Sequence, residues 1–180
     1  MLLTQSVPSI SDAMLAEFEE QAPITRRFLE RLPEDKLTWK PHEKSMTAGQ
    51  LAYHIAGTTG VVAHLVERNP VTELGQFSFP QPANLKEILD KLDESIATVH
   101  TVLSKFDDAA MAEIWRLSVA GKDILAMPRG IFLRNVMFSH WYQHRGQFSV
   151  YLRLLNIPVP ASWGPSADEQ PLFMQKLQTA

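Results

Sequence analysis

Residues 133–155, LRNVMFSHWYQHRGQFSVYLRLL, decide the fold. Leu133, Met137, His140, His144, Phe148, Tyr151 and Leu155 recur at intervals of three and four, which aligns them on one side of an α-helix. Gln147 and Leu152 stand alongside. The pattern predicts a helix from about Arg129 to Leu155. Three further stretches carry the same period. Leu15, Phe18, Ala22, Thr25, Leu29 and Leu32 predict a helix over about 11–32, kinked where Pro23 lacks its amide proton. Thr47 suits an N-cap for a second helix reaching about Glu67, with the stripe Leu51, His54, Thr58, Val61 and Leu65. Leu85, Leu89, Leu92, Ile96, Val99, Leu103 and Phe106 predict a third over about 84–106.

Four amphipathic helices of about 20–27 residues, each near 30–40 Å long at 1.5 Å per residue, predict an all-α four-helix bundle. Between the third and fourth, Ile114 to Met127 alternates around Ala120-Gly121-Lys122, which predicts a short β-hairpin insertion. Pro158, Pro160, Pro165 and Pro171 mark an extended C-terminal tail. The long connection from Asn69 to Ala83 suggests that helices two and three are not a tight up-down pair. No repeat or linker divides residues 1–180, so one helical-bundle domain is expected.

Composition narrows the function. With 17 Lys+Arg against 20 Asp+Glu, the net charge of −3 is too mild for an electrostatic nucleic-acid binder or a polybasic membrane anchor. There is no Cys, which excludes disulfides, thiolate metal ligands and cysteine nucleophiles. The first six residues have no basic and apolar leader pattern. Residues 48–66 carry no formal charge and are long enough to span a bilayer, but His54, His64, Gln50 and two threonines would be costly in lipid. A buried helix of a cytoplasmic protein is the expectation.

His140 and His144 are four apart on one helix face, close enough for both imidazoles to reach one ion. His54 occupies a comparable slot on the second helix. Each could instead be a core histidine with its own hydrogen-bond partners; one shared cation would account for all three together. His64 and His100 read as surface or boundary residues, and His42 as a loop residue. Tyr53 and Trp141 read as boundary packing, Tyr142 as a candidate to point into a pocket, and Arg145 and Arg153 as formers of surface salt bridges or helix-end contacts. Gly57 and Gly60 imply close helix approach or space kept beside His54.

Leu37-Thr38-Trp39-Lys40-Pro41, Met46-Thr47-Ala48-Gly49-Gln50-Leu51-Ala52-Tyr53-His54 and His140-Trp141-Tyr142-Gln143-His144-Arg145-Gly146-Gln147 together resemble the DinB/YfiT-like family. The continuation Val150-Tyr151-Leu152-Arg153-Leu154-Leu155, Val159-Pro160 and Gly164-Pro165-Ser166-Ala167-Asp168-Glu169 is similar to that family's tail. Trp163 departs from the Tyr that relatives often carry before Gly-Pro. The resemblance implies a four-helix bundle whose metal ligands are one histidine of the second helix and two of the last, here His54, His140 and His144. It also implies a homodimer, and relatives that include thiol S-transferases using a low-molecular-weight thiol, and related isomerases.

Three neutral ligands would leave a divalent ion its full charge and open coordination positions, the catalytic pattern. Imidazoles suit a transition metal: Zn or Ni first, with Fe or Mn as further candidates. Gln147, one turn beyond His144, is a candidate to orient that ring. The position after His140 is Trp141 and not the Glu of an HExxH zinc protease. The nucleophile is therefore expected to be an external thiol or water, acting on a small electrophilic substrate in a pocket at one end of the bundle. A non-catalytic, stress-associated metal-binding bundle is the alternative. Neither nucleic acid nor membrane is an expected partner.

Overall fold

Each of the first three long helices begins where a short polar side chain takes up an amide that the helix cannot satisfy. The Ser9 hydroxyl accepts from the Asp12 amide, and the Asp12 carboxylate accepts from the Ser9 amide. Thr47 and Gln50 exchange the same two bonds at 3.1 and 3.0 Å. Asn84 Oδ1 accepts from the Glu87 amide. These caps open α1 (Ile10–Leu29), α2 (Ala48–Val66) and α3 (Leu85–Leu103) in the computed structural model, which describes residues 7–73, 78–171 and 174. The expectation about a leader at residues 1–6 lies outside the described residues. A one-turn α4 (Asp108–Ala112) leads into an antiparallel hairpin, β1 (Ile114–Val119) and β2 (Lys122–Pro128). Its turn places Ala120 and Gly121 at φ of 50° and 76°, the left-handed conformation that a two-residue hairpin turn needs.

The last rod is one run of helix with a change of winding inside it. Residues Arg129–Phe132 (α5) are α-helical, Leu133–Ser139 form a π-helical segment, and His140–Leu154 (α6) return to α. The bundle is therefore all-α with four long rods, a hairpin before the last and an extended tail. α1 runs through Pro23 as one element, from Ile10 to Leu29.

The core lies between the rods. Phe18, Leu29, Leu51, Ile55, Leu92, Leu103, Phe138, Trp141 and Phe148 are fully buried within it, and Trp115 of β1 closes its hairpin end. At about 25 cal/mol per Å² of apolar surface, this core supplies most of the drive for folding. α2 differs from its predicted stripe: Val61 is 58% exposed, while Ala52, Ile55, Ala56, Thr59, Val62 and Ala63 are buried. Its buried residues are spread over most of its circumference, so hydrophobicity alone marks no single inward face.

The connection after α2 also corrects an expectation, because α2 and α3 pack closely. A Cβ on Gly60 would lie 2.9 Å from Ser95 Oγ, and one on Gly57 3.1 Å from Lys91 Cε. The glycines thus serve close helix approach. The long connection instead reaches the hairpin, where Val71 pairs with Leu117. Arg129, only 4% exposed, ties this end together. It donates to the carbonyls of Val66 and Ala110 and to Glu113, and its guanidinium lies 4.7 Å from the Phe106 ring centre.

The tail folds back on the bundle. Asp168 accepts from Arg153 and from the Val159 amide, and Glu169 from Arg27 and Arg31. Among the described residues no helix is long and apolar enough to cross a membrane.

Candidate metal centre

His54 stands in the first half of α2, and His140 opens α6 directly after the π segment, with His144 one turn on. The three rings meet on the flank between the two helices: centroids are 4.7 Å apart for His54 and His144, 4.5 Å for His140 and His144, and 5.3 Å for His54 and His140. One nitrogen from each lies within 4.8 Å of the other two. The Nε2 atoms of His54 and His140 are 3.3 Å apart. Two nitrogens each about 2.0–2.1 Å from a tetrahedral ion would be separated by about 3.3 Å. The group could hold a metal ion.

All three residues are half-buried, so the site is not deep in the core. The fully buried line on α6 is Trp141, Phe148 and Leu152, with the histidines at its edge. Burial holds the His54 pKa down to about 4, with the positive charges that His144 and His140 would carry adding to the effect. Burial also lowers the pKa of His140, reinforced by His144. Both rings are consequently neutral near pH 7 and keep the lone pair that a ligand needs. Neither α2 nor the run 129–155 contains Asp or Glu, so no carboxylate from these rods would offset the charge of an ion.

Neighbouring contacts set the geometry. His144 Nδ1–H donates to Gln147 Oε1 at 2.9 Å, leaving Nε2 as the free nitrogen. Trp141, between the two histidines, is fully buried, and its indole N–H donates to the carbonyl of Ile55, the residue after His54, at 3.0 Å. Its role is therefore more than boundary packing. One bond fixes α6 against α2 at the level of the triad.

Other predicted candidates go elsewhere. Tyr142 does not face the triad: its hydroxyl donates to Glu17 of α1 at 2.7 Å. Arg134 also binds Glu17, and that hydrogen bond outweighs burial to keep the Glu17 pKa below its usual value. Arg145 is not a surface ion-pair former but donates to Gln21 and Thr25 and lies over the Tyr142 ring. His64 pairs with Glu67, His100 lies 3.7 Å from Glu19, and His42 sits in its loop. Phe79 was not anticipated. It meets His54 edge-on with centroids 5.5 Å apart, brought there by a loop whose sequence has no periodicity to read.

A four-helix bundle bearing three convergent histidines on its flank defines a helical-bundle protein with a candidate metal-binding centre. A sequence profile of the DinB superfamily matches residues 17–148. The chain belongs to the DinB superfamily. It is 26% identical over 166 residues to the uncharacterized protein YrdA of Bacillus subtilis (strain 168), covering 90% of this chain and 93% of the relative. Among solved structures, it is similar to a DinB-like protein from Bacillus cereus ATCC 10987 with a TM-score of 0.67. That pair is 24% identical and covers 84% of this chain and 96% of the other. A DinB-like protein from Bacillus subtilis, YjoA, aligns with a TM-score of 0.62 and 16% identity over 83% of this chain and 96% of its own.

Proposed function

We propose that this protein is a metal-dependent enzyme, a thiol S-transferase or hydrolase acting on a small electrophile, with His54, His140 and His144 holding one divalent transition-metal ion. The observation that carries the reading is the convergence of three nitrogen donors from two rods that contain no carboxylate. Imidazole ligands favour Zn or Ni, then Fe or Mn. When bound, the ion supplies Lewis acidity, lowering the pKa of a thiol or water. The chain's own residues do the rest. Gln147 fixes the tautomer of His144, and Trp141 holds the two rods in register. With no Cys in the chain, the thiol of an S-transferase reaction is a low-molecular-weight cofactor. Cytoplasmic location and a homodimeric assembly belong to the same reading.

The test is metal content and metal-linked stability of tag-free protein. Near-stoichiometric metal in the wild type and its loss in His140→Ala are expected. An ion at 100 times its Kd should stabilise the wild type by about 2.7 kcal/mol and leave the variant unmoved. Equal metal in both proteins would remove the assignment. A second reading, a non-catalytic metal-binding bundle, is favoured by the half-exposed position on the flank. A cavity between α1 and α3 is lined by other residues, Phe18, Ala22, Pro23, Ile96 and His100 among them. Turnover of thiol-plus-electrophile pairs or esters, abolished by His54→Ala, would decide for the enzyme. Absence of turnover with each reconstituted metal would decide for the second.

A further inference from the structure

Phe79 is a large apolar side chain, 47% exposed, standing beside a cluster of polar rings. Leaving such a ring in water forfeits much of its burial energy, yet the backbone around it is firmly held. The Phe79 carbonyl accepts from Gln50 Nε2 at 2.9 Å, one turn before His54 on α2. Two residues on, Gln81 accepts from the Thr47 hydroxyl at 2.6 Å and donates to the Leu37 carbonyl at 3.2 Å. Gly49 makes room for this strap, since a Cβ there would lie 2.6 Å from Gln81 Nε2. Pro80 and Pro82 restrict the backbone further. The ring is therefore presented, rather than left over, at the edge of His54.

We propose that Phe79 is the specificity-determining residue of the centre. Its exposed face is an apolar surface beside the His54 ring. It selects ligands carrying a flat apolar group, an aryl ring above all, next to the atoms that reach the metal. This rests on the metal-centre reading above. An aromatic pair in this position is worth about 3- to 10-fold in affinity.

The experiment uses the full chain loaded with Co²⁺ and two probes that chelate alike, benzohydroxamate and acetohydroxamate, titrated by visible absorption. Each aryl-to-methyl affinity ratio is normalised to that for free Co²⁺. The wild type should prefer the aryl probe by about 3- to 10-fold, Phe79→Tyr should keep the preference, and Phe79→Ala and Phe79→Leu should bring it close to one or well down. Co²⁺ affinity itself should stay within about twofold in all four proteins. An unchanged ratio in Phe79→Ala, or a wild-type ratio near one, overturns the proposal while the metal centre stands. A fall in Co²⁺ affinity with the Phe79 variants makes the residue structural and also overturns it. Failure of the wild type to bind Co²⁺ at all removes the metal centre, and the role of Phe79 with it.

Discussion

Gly60→Ala and Gly146→Ala are the same chemical change on the two helices that carry the triad, and the structure gives them opposite signs. A Cβ on Gly60 would lie 2.9 Å from Ser95 Oγ, 3.0 Å from Ser95 Cα and 3.2 Å from Ser95 Cβ. A Cα cannot rotate away, so α2 and α3 must part. Overpacking of this kind costs about 1–3 kcal/mol, at the upper end when backbone must move. Alanine's better helix propensity returns about 1 kcal/mol. The net expectation is a loss of about 1–2 kcal/mol. Gly146 is exposed on α6, and a Cβ there meets nothing within 4 Å. Only propensity acts, so Gly146→Ala should gain about 0.5–1 kcal/mol. Urea unfolding monitored by far-ultraviolet circular dichroism measures both, with an unchanged slope showing that stability alone has moved. In heat, each kcal/mol is worth about 2–4 °C at this chain length. Gly57→Ala meets the flexible end of Lys91 and should fall between them. A Gly60→Ala protein as stable as Gly146→Ala would refute the close approach of α2 and α3.

Gln147→Leu should weaken metal binding by about 10- to 100-fold with little change in fold stability, while Gln147→Glu retains it; competition against a chelator measures this, and an unaltered affinity counts against the His144 contact. Arg129→Met leaves the carbonyls of Val66 and Ala110 without their donor and should cost about 2 kcal/mol or more. Glu113→Gln, on the exposed side of the same contact, should cost far less, and equal losses would misplace the energy of that node. Glu17 has a folded pKa below its unfolded value, so its contribution is complete above the unfolded pKa of about 4.5 and disappears as pH falls through the folded one. Melting temperature between pH 6 and 3 should therefore fall less steeply in Glu17→Gln than in the wild type, and parallel curves would deny the linkage.

The helices were legible where local chemistry decides them. Thr47 caps α2 as its side chain and that of Gln50 suggest, and the Ala120-Gly121 turn closes the hairpin, whose pairing shifts between Leu117 and Ser118. The spacing of His140 and His144 sufficed to put both on one face, and the third histidine followed once α2 was set beside α6. The orientation of α2 was not legible, because its buried residues, from Thr58 and Leu51 through Ala52 and Ala56 to Gly57, occupy most of its circumference. Contacts between residues distant in the chain were beyond reach for another reason. Tyr142 meets Glu17, Trp141 meets Ile55 and Phe79 meets His54 across 125, 86 and 25 positions, and no periodicity encodes such pairs. Nor does the sequence mark the change of winding at Leu133–Ser139 by any proline or glycine within it.

That change of winding separates two tasks that one uninterrupted helix would tie together. In a regular α-helix each residue turns the chain by about 100°, so the angle between Arg129 and His140 would be set by their separation alone. The wider turns let Arg129 face its buried carbonyls while the histidine pair keeps the heading that meets α2. Removing one residue between 133 and 139 should return the segment to ordinary α winding with both headings nearly kept, whereas adding one residue there should swing one end of the rod away from its target. The rod thus behaves as two compasses on one shaft, each free to have been adjusted without resetting the other.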